Sequence, residues 1–238
     1  MKQHALTAQQ FGTTAQAYLS SAVHAQGDDL RRLGALVRQL QAGSALDLGC
    51  GAGHASFALA AAGAQVTAVD LASEMLEIVA GEAAARQLTG LRTQQASVDA
   101  LPFDAGRFDL VVTRFSAHHW LDVTAALREV RRVIKPSGTL VIIDVVAPES
   151  PLCDTLLQTV EILRDASHVR DYRLSEWREL LRQAGFAVPR TDDWALTMEF
   201  ASWVARMRVP ELRVQAIRDV FAQAPQEARA AFRLHPQF

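Results

Sequence analysis

Apolar and polar positions recur along this chain with two different periods. From Asp28 to Gln41, Leu30, Leu33, Leu36, Val37 and Leu40 return at helical spacing and Gly43 follows where a helix-ending glycine belongs, which predicts an amphipathic helix. Ser44–Leu48 is a short, mostly apolar run that ends in Gly49-Cys50-Gly51-Ala52-Gly53, and alanine-rich residues continue to about Ala62. That order reads strand, glycine loop, helix. Gly63 stops the helix, Val66–Val69 is β-branched and closes on Asp70, and Ser73 offers an N-cap to a helix carrying Met75, Leu76, Ile78 and Val79. A third strand is weakly signalled at Arg92–Ala96. Two stronger ones follow, Phe108–Thr113 and Thr139–Val146. Between them Val123, Ala126, Leu127, Val130, Val133 and Ile134 form an apolar helical face, ended by Lys135-Pro136-Ser137-Gly138.

Strands that are apolar almost throughout and alternate with helices imply a doubly wound α/β fold, mostly parallel, with ligands outside the carboxyl ends of the strands. Past Ala147 the alternation lapses. Leu156, Leu157, Val160 and Leu163 mark one helix, and Ser175–Ala184 a second, capped by Gly185. Phe186–Val188 and Ala195–Phe200 read as two last strands, one of them antiparallel at the edge, for a seven-stranded Rossmann-like sheet. Beyond Ala201, Trp203, Val204, Met207, Leu212, Ala216, Ile217, Val220 and Phe221 predict a helical tail.

The chain has 238 residues, half of them hydrophobic, with 24 basic and 26 acidic side chains and a net charge of −2. That length carries a sizeable core in one domain, and the balanced charge argues against binding nucleic acid through its phosphates. Cys50 and Cys153 are too few for a disulfide framework and have no metal-ligand spacing. No run of about 18 apolar residues occurs, and the first residues lack the apolar stretch of a secretory signal, so a cytoplasmic protein without stable membrane association is expected.

The glycine loop narrows the chemistry. Its spacing is G-x-G-x-G, and the third glycine of the dinucleotide fingerprint would fall at His54, which weighs against NAD. No Gly-Lys-Ser or Gly-Lys-Thr follows, and the only lysines are Lys2 and Lys135, so a Walker loop is excluded. Asp47, two residues before the first glycine, suits a cation or amine better than a pyrophosphate. Asp70, at the end of the second strand, is placed to accept from two ribose hydroxyls.

Asp47, the glycine triplet and Asp70 together resemble the first motifs of the class I S-adenosylmethionine-dependent methyltransferases. Leu101-Pro102-Phe103-Asp104, Phe108–Val112 and Leu127–Leu140 extend the similarity toward the branch that contains the ubiquinone/menaquinone C-methyltransferases, over roughly residues 11–200. The resemblance implies one methyltransferase domain over 1–238: an N-terminal helical cap (1–43), a cofactor-binding core (44–147), lid helices (148–185), the last strands (186–200) and a helical tail (201–238). It implies S-adenosylmethionine as cofactor and S-adenosylhomocysteine as product. Asp47, Gly49, Cys50, Gly51 and Gly53 would face the methionine part, Asp70 the ribose, and Leu71 and Met75 the adenine. The family has an aspartate after the third strand where this chain has Ser97, followed by Val98. Arg114 and Tyr18 complete the expected cofactor contacts, Tyr18 acting with Phe11 to close the N-terminal segment.

Methyl transfer consumes a positive charge and needs a base only where the acceptor carries a proton; a histidine, with a pKa of about 6.5, suits that task. Arg114-Phe115-Ser116-Ala117-His118-His119-Trp120 follows the fourth strand, at the ligand edge, and sets two imidazoles beside aromatic surface suited to a planar acceptor. His119 is the favoured base and His118 the second candidate. Asp144 ends a buried strand and either binds substrate or caps a loop. His54, and His168, Arg170 and Tyr172 in the lid, are read as structural or solvated groups, and Trp120, Trp177, Trp194 and Trp203 as core. No metal is expected, because the adjacent histidines lack i, i+4 spacing.

The expected function is methyl transfer to a small organic acceptor such as an aromatic or quinol-like ring. The alternatives are a non-catalytic S-adenosylmethionine-binding regulatory module and an NAD(P)-dependent oxidoreductase. Nothing in the sequence sets the oligomeric state.

Overall fold

The computed structural model describes residues 2–12 and 27–235. Tyr18 lies outside them. The described chain divides into two compact units, Met1–Asp144 and Val145–Phe238.

The first unit contains α1 (Gln3–Gly12), α2 (Asp28–Leu40), β1 (Ser44–Leu48), α3 (His54–Ala61), β2 (Gln65–Asp70), α4 (Ser73–Ala85), β3 (Leu91–Gln95), β4 (Phe108–Arg114), a 3-10 turn (Ala117–His119), α5 (Val123–Val133) and β5 (Ile134–Ile143). Its sheet has five strands in the order β3-β2-β1-β4-β5, and every pair is parallel. The chain winds outward from β1 to β3, then returns to the other side of β1 with β4. Between the carboxyl ends of β1 and β4 lies the switch point where such sheets bind ligands.

The apolar runs that predicted these strands are buried. Ala45, Leu46 and Leu48 of β1 and Leu110, Val111 and Val112 of β4 are inaccessible to solvent. Alternate residues of a strand face opposite sides. Ala45, Val66, Leu110 and Val112 form one cluster with Leu33 and Val37 of α2 and Leu59 of α3. In α5 the predicted face Val123, Ala126, Leu127, Val130 and Val133 is buried, and Asp122 caps its start by accepting Ala125 N–H at 2.8 Å. A cap of this kind contributes about 1 kcal/mol. Ile134, expected at the end of that helix, instead begins β5, which stops at Ile143 rather than Val146. The pairing jumps from Phe108–Ile134 to Leu110–Thr139, and Lys135–Gly138 bulges between.

The second unit is helical: α6 (Pro151–Arg164), α7 (Leu174–Gln183), α8 (Phe200–Arg206), α9 (Glu211–Ala222) and α10 (Gln226–Ala231). Val160, Trp203, Val204, Val214, Ile217 and Phe221 form its core, so the tail is helical as expected.

The seven-stranded sheet with an antiparallel edge is corrected to five parallel strands among the described residues. Phe186–Val188 and Ala195–Phe200 form no ladder. Gly185, at φ 81°, ends α7 and Phe186 N–H bonds back to Leu181 O. Val188 is 86% exposed and buries no sheet face. Glu199 accepts from the N–H groups of Ala201 and Ser202 at 2.8 and 2.7 Å, so its carboxylate starts a helix where the alternation suggested a strand. Trp194, read as core, is 53% exposed.

Candidate functional site

The loops after β1, β2, β3 and β4 surround one cavity, and α1 supplies part of its wall. It holds about 1030 Å³ of space free of protein atoms, the open solvent at its mouth included.

The glycine loop forms its floor, and each glycine has a separate reason. Gly49 sits at φ +64°, and a Cβ there would fall 1.8 Å from Ser116 Oγ, so the loops after β1 and β4 meet too closely for any side chain. Gly51, at φ +51°, lines the cavity, and a Cβ there would meet no atom within 4 Å. Gly53 is absent from the wall. At φ +86° it lets α3 begin against Val79 and Phe57, whose side-chain atoms would be 2.8 and 2.9 Å from a Cβ. Its role is therefore packing. Cys50 lines the cavity, and burial, then Asp70 and Asp47, push its thiol well above the usual range, which keeps it unreactive.

Two carboxylates face this floor. Asp47 of β1 is 1% exposed; Oδ2 accepts from Ser56 Oγ at 2.6 Å, while Oδ1 is buried without a hydrogen-bond partner. Burial raises its pKa to about 6, against the opposing effects of Ser56 and Arg114. A buried acceptor held unsatisfied at a cavity wall is costly in the free protein and calls for a donor, preferably a cation. Asp70 accepts Gly51 N–H at 2.9 Å and Ala72 N–H at 3.0 Å, one on each oxygen. Burial raises its pKa and these backbone donors lower it. Each oxygen keeps a second lone pair for a ribose hydroxyl.

Leu71 and Met75 bring apolar surface to the wall, next to Ser97, Val98 and Asp99 from the loop after β3. Ser97 Oγ donates to Asp99 Oδ1. A carboxylate therefore does stand in this loop, two residues beyond the position the resemblance pointed to. Arg114 lines the cavity while its Nε donates to Asp29 of α2, both side chains 7% exposed.

The two histidines after β4 part ways. His119 lines the cavity, its ring meeting Phe11 edge-on with centroids 4.8 Å apart. His118 is outside the wall and its Nδ1 lies 2.6 Å from Asp144 Oδ1. Trp120 donates from Nε1 to Ser116 Oγ at 3.3 Å. Phe115 has φ 51°, the left-handed conformation that bulky residues seldom adopt and that marks functional turns.

His54 lines the cavity at the start of α3. In the second unit His168 is buried with Nε2 3.0 Å from Gln158 Oε1, Arg170 pairs with Asp154 and Glu176, and Tyr172 packs on Trp177. His168 is thus a buried, hydrogen-bonded residue, while Arg170 and Tyr172 are half-exposed. His4 and Thr7 of α1 reach the cavity without having been singled out in the sequence. Their signal was only an i, i+3, i+7 spacing with Phe11.

Known proteins share this fold and much of this sequence. Residues 46–142 match the methyltransferase domain family. The chain is 48% identical over 182 residues to the uncharacterized protein YafE of Escherichia coli, covering 76% of this chain and 88% of that protein. It is 34% identical over 225 residues to the uncharacterized methyltransferase YcgJ of Bacillus subtilis, covering 93% and 88%. The crystal structure of YcgJ aligns with a TM-score of 0.81 at 33% identity, over 86% of this chain and 89% of that one. A demethylmenaquinone methyltransferase of Clavibacter sepedonicus is 40% identical over 110 residues, 45% of this chain and 43% of that protein. Residues 46–142 carry the methyltransferase domain and the likeness to YcgJ runs through nearly the whole chain, so this chain belongs to the class I S-adenosylmethionine-dependent methyltransferases.

Proposed function

We propose that the protein methylates a small planar acceptor, an aromatic or quinol-like ring, with His119 as the base that removes the acceptor's proton. The observation that carries this reading is His119 itself: it lines the same cavity as Asp47 and the glycine loop, its ring edge-on to Phe11, with Trp120 also in that wall. When bound, S-adenosylmethionine supplies an electrophilic methyl group on sulfur and leaves as S-adenosylhomocysteine.

The chain's own residues then divide the work. Asp47 takes the ammonium, Asp70 the ribose, and Leu71 and Met75 the purine faces, with the Ser97–Asp99 turn at its polar edge. His119 accepts the proton given up by a hydroxyl or ring carbon as the new bond to methyl forms. Aromatic walls hold the acceptor for in-line transfer, which is where most of the rate enhancement from positioning arises. The similarity to a demethylmenaquinone methyltransferase favours a quinol-like ring, although it covers less than half of each chain.

The test is transfer of labelled methyl from S-adenosylmethionine to a panel of small acceptors: hydroquinones and naphthoquinols, phenols, carboxylates and amines. The expected result is labelled quinol or phenol, falling by about a hundredfold or more in His119→Gln, the range of general-base effects. Labelling of carboxylates or amines alone would overturn the acceptor, and an undiminished His119→Gln would overturn the base.

A further inference from the structure

The reading of His119 as the acceptor-facing group leaves a question of placement. Ala117–His119 is a single 3-10 turn, closed by His119 N–H on Ser116 O at 3.0 Å and by Trp120 N–H on Ala117 O at 3.1 Å. One such turn has weak intrinsic persistence. Two adjacent imidazoles in it need an external anchor if one of them is to keep a fixed orientation.

We propose that Asp144 is a positioning residue for His119, acting through His118. Asp144 directly follows β5 and its carboxylate spans to the turn after β4: Oδ1 lies 2.6 Å from His118 Nδ1, and Oδ2 accepts His118 backbone N–H at 3.2 Å. One side chain thus holds both the main chain and the ring of the same residue. The side chains of His118 and Asp144 are 11% and 3% exposed, so water competes little for these bonds. The short Nδ1–Oδ1 contact and the backbone bond together set the ring plane of His118.

The anchored ring is the immediate neighbour of the candidate base. Centroids of His118 and His119 are 4.2 Å apart with planes tilted by 52°, while Phe11 meets His119 edge-on at 4.8 Å. His118 is outside the cavity wall and His119 is in it. The first imidazole is therefore a spacer that transmits the position of β5 to the second. The consequence is specific, because a displacement of about 1 Å in a reacting group costs on the order of a hundredfold in rate.

This inference rests on the role given to His119, but its test needs no acceptor. Full-length protein labelled at its histidines would be followed by NMR, with the His119 resonance assigned by its loss in His119→Gln and S-adenosylhomocysteine as the probe. In the wild type the His119 signal shifts on adding the probe. In Asp144→Ala and His118→Ala the affinity for the probe stays within about threefold, as expected for sites without shared partners, while the His119 signal broadens and loses most of its response. His118→Phe, which keeps a ring against His119 but has no donor toward Asp144, shows the same broadening. An unaltered His119 signal and response in Asp144→Ala would overturn the proposal. If that variant fails to fold, a His119 signal in His118→Phe as sharp and as responsive as in the wild type would overturn it equally. Failure of the wild type to bind the probe would instead count against the cofactor site, and the unliganded His119 signals would still decide the positioning.

Discussion

Asp70 Oδ2 accepts the N–H of Gly51 across 2.9 Å, which ties the end of β2 to the loop that follows β1. Its other oxygen accepts Ala72 N–H at 3.0 Å and shapes the turn into α4. The residue expected only to meet the ribose thus also builds the floor on which the ligand rests.

Removing that side chain harms fold and binding together. Asp70→Ala leaves two backbone N–H groups without their acceptor, expected to cost about 1–3 kcal/mol. Thermal melts with and without S-adenosylhomocysteine check it. The ligand-free melting temperature falls, and the rise produced by ligand in the wild type disappears. A variant that keeps the full ligand-induced rise would remove Asp70 from the cofactor site.

Asp47 makes both stability and affinity depend on pH. Its folded-state pKa is raised from the usual 3.8 to about 6, so the folded protein holds a proton that the unfolded chain has released. Stability is therefore unaffected below 3.8, declines as pH rises from 3.8 to about 6, and carries the full penalty above, about 3 kcal/mol. Asp47→Asn should raise the urea midpoint of the ligand-free protein at pH 8 and leave it nearly unchanged at pH 3.5. The same variant should bind S-adenosylmethionine more weakly, by about 1.5–3 kcal/mol, the range for a charge-assisted hydrogen bond. Wild-type affinity, measured calorimetrically, should rise as pH passes through about 6.

Much of this site was legible because it lies where strands end. β1, β2 and β4 are buried and wrote near-continuous apolar runs, with Asp47 and Asp70 standing out as charges at their ends. The two last strands were misread because a three-residue apolar run, and alternation over six residues, do not distinguish a ladder from a segment that runs exposed into a helix cap. Glu199 was the missed signal. α1 was not legible as a wall, since none of its residues is fully buried and its helical face is defined by the cavity. His119 was already preferred to His118 in the sequence, but the anchor that holds His118 away from the wall was not legible, because Asp144 lies 26 positions away.

Two glycines of the loop should fail in different ways. Gly49→Ala places a Cβ 1.8 Å from Ser116 Oγ at φ +64°, and a loss of about 2 kcal/mol or more is expected from the clash and the backbone strain. Gly51→Ala meets no atom and should cost about 1 kcal/mol from its positive φ alone. It should nonetheless reduce cofactor affinity more per unit of lost stability, because Gly51 lines the cavity. Chemical denaturation and calorimetry on both variants separate the effects, and equal ratios of lost affinity to lost stability would refute the assignment.

Arg114 links the stability of α2 to the charge on Asp47. Its Nε bonds Asp29 with both side chains 7% exposed, and its positive charge is among the influences that lower the pKa of Asp47. Arg114→Gln leaves the Asp29 carboxylate buried without its cation, a change that costs about 3–5 kcal/mol in comparable pairs. The double variant Arg114→Gln/Asp29→Asn should recover much of that loss, since it removes the orphaned charge. Asp47 then loses a neighbour that favours its ionised form, so the pH at which S-adenosylmethionine affinity rises should move upward in both variants. The midpoint is the informative quantity, because absolute affinity also reflects any direct contact of Arg114 with the ligand. An unmoved midpoint in the double variant, with the fold intact, would show that Asp47 does not sense Arg114.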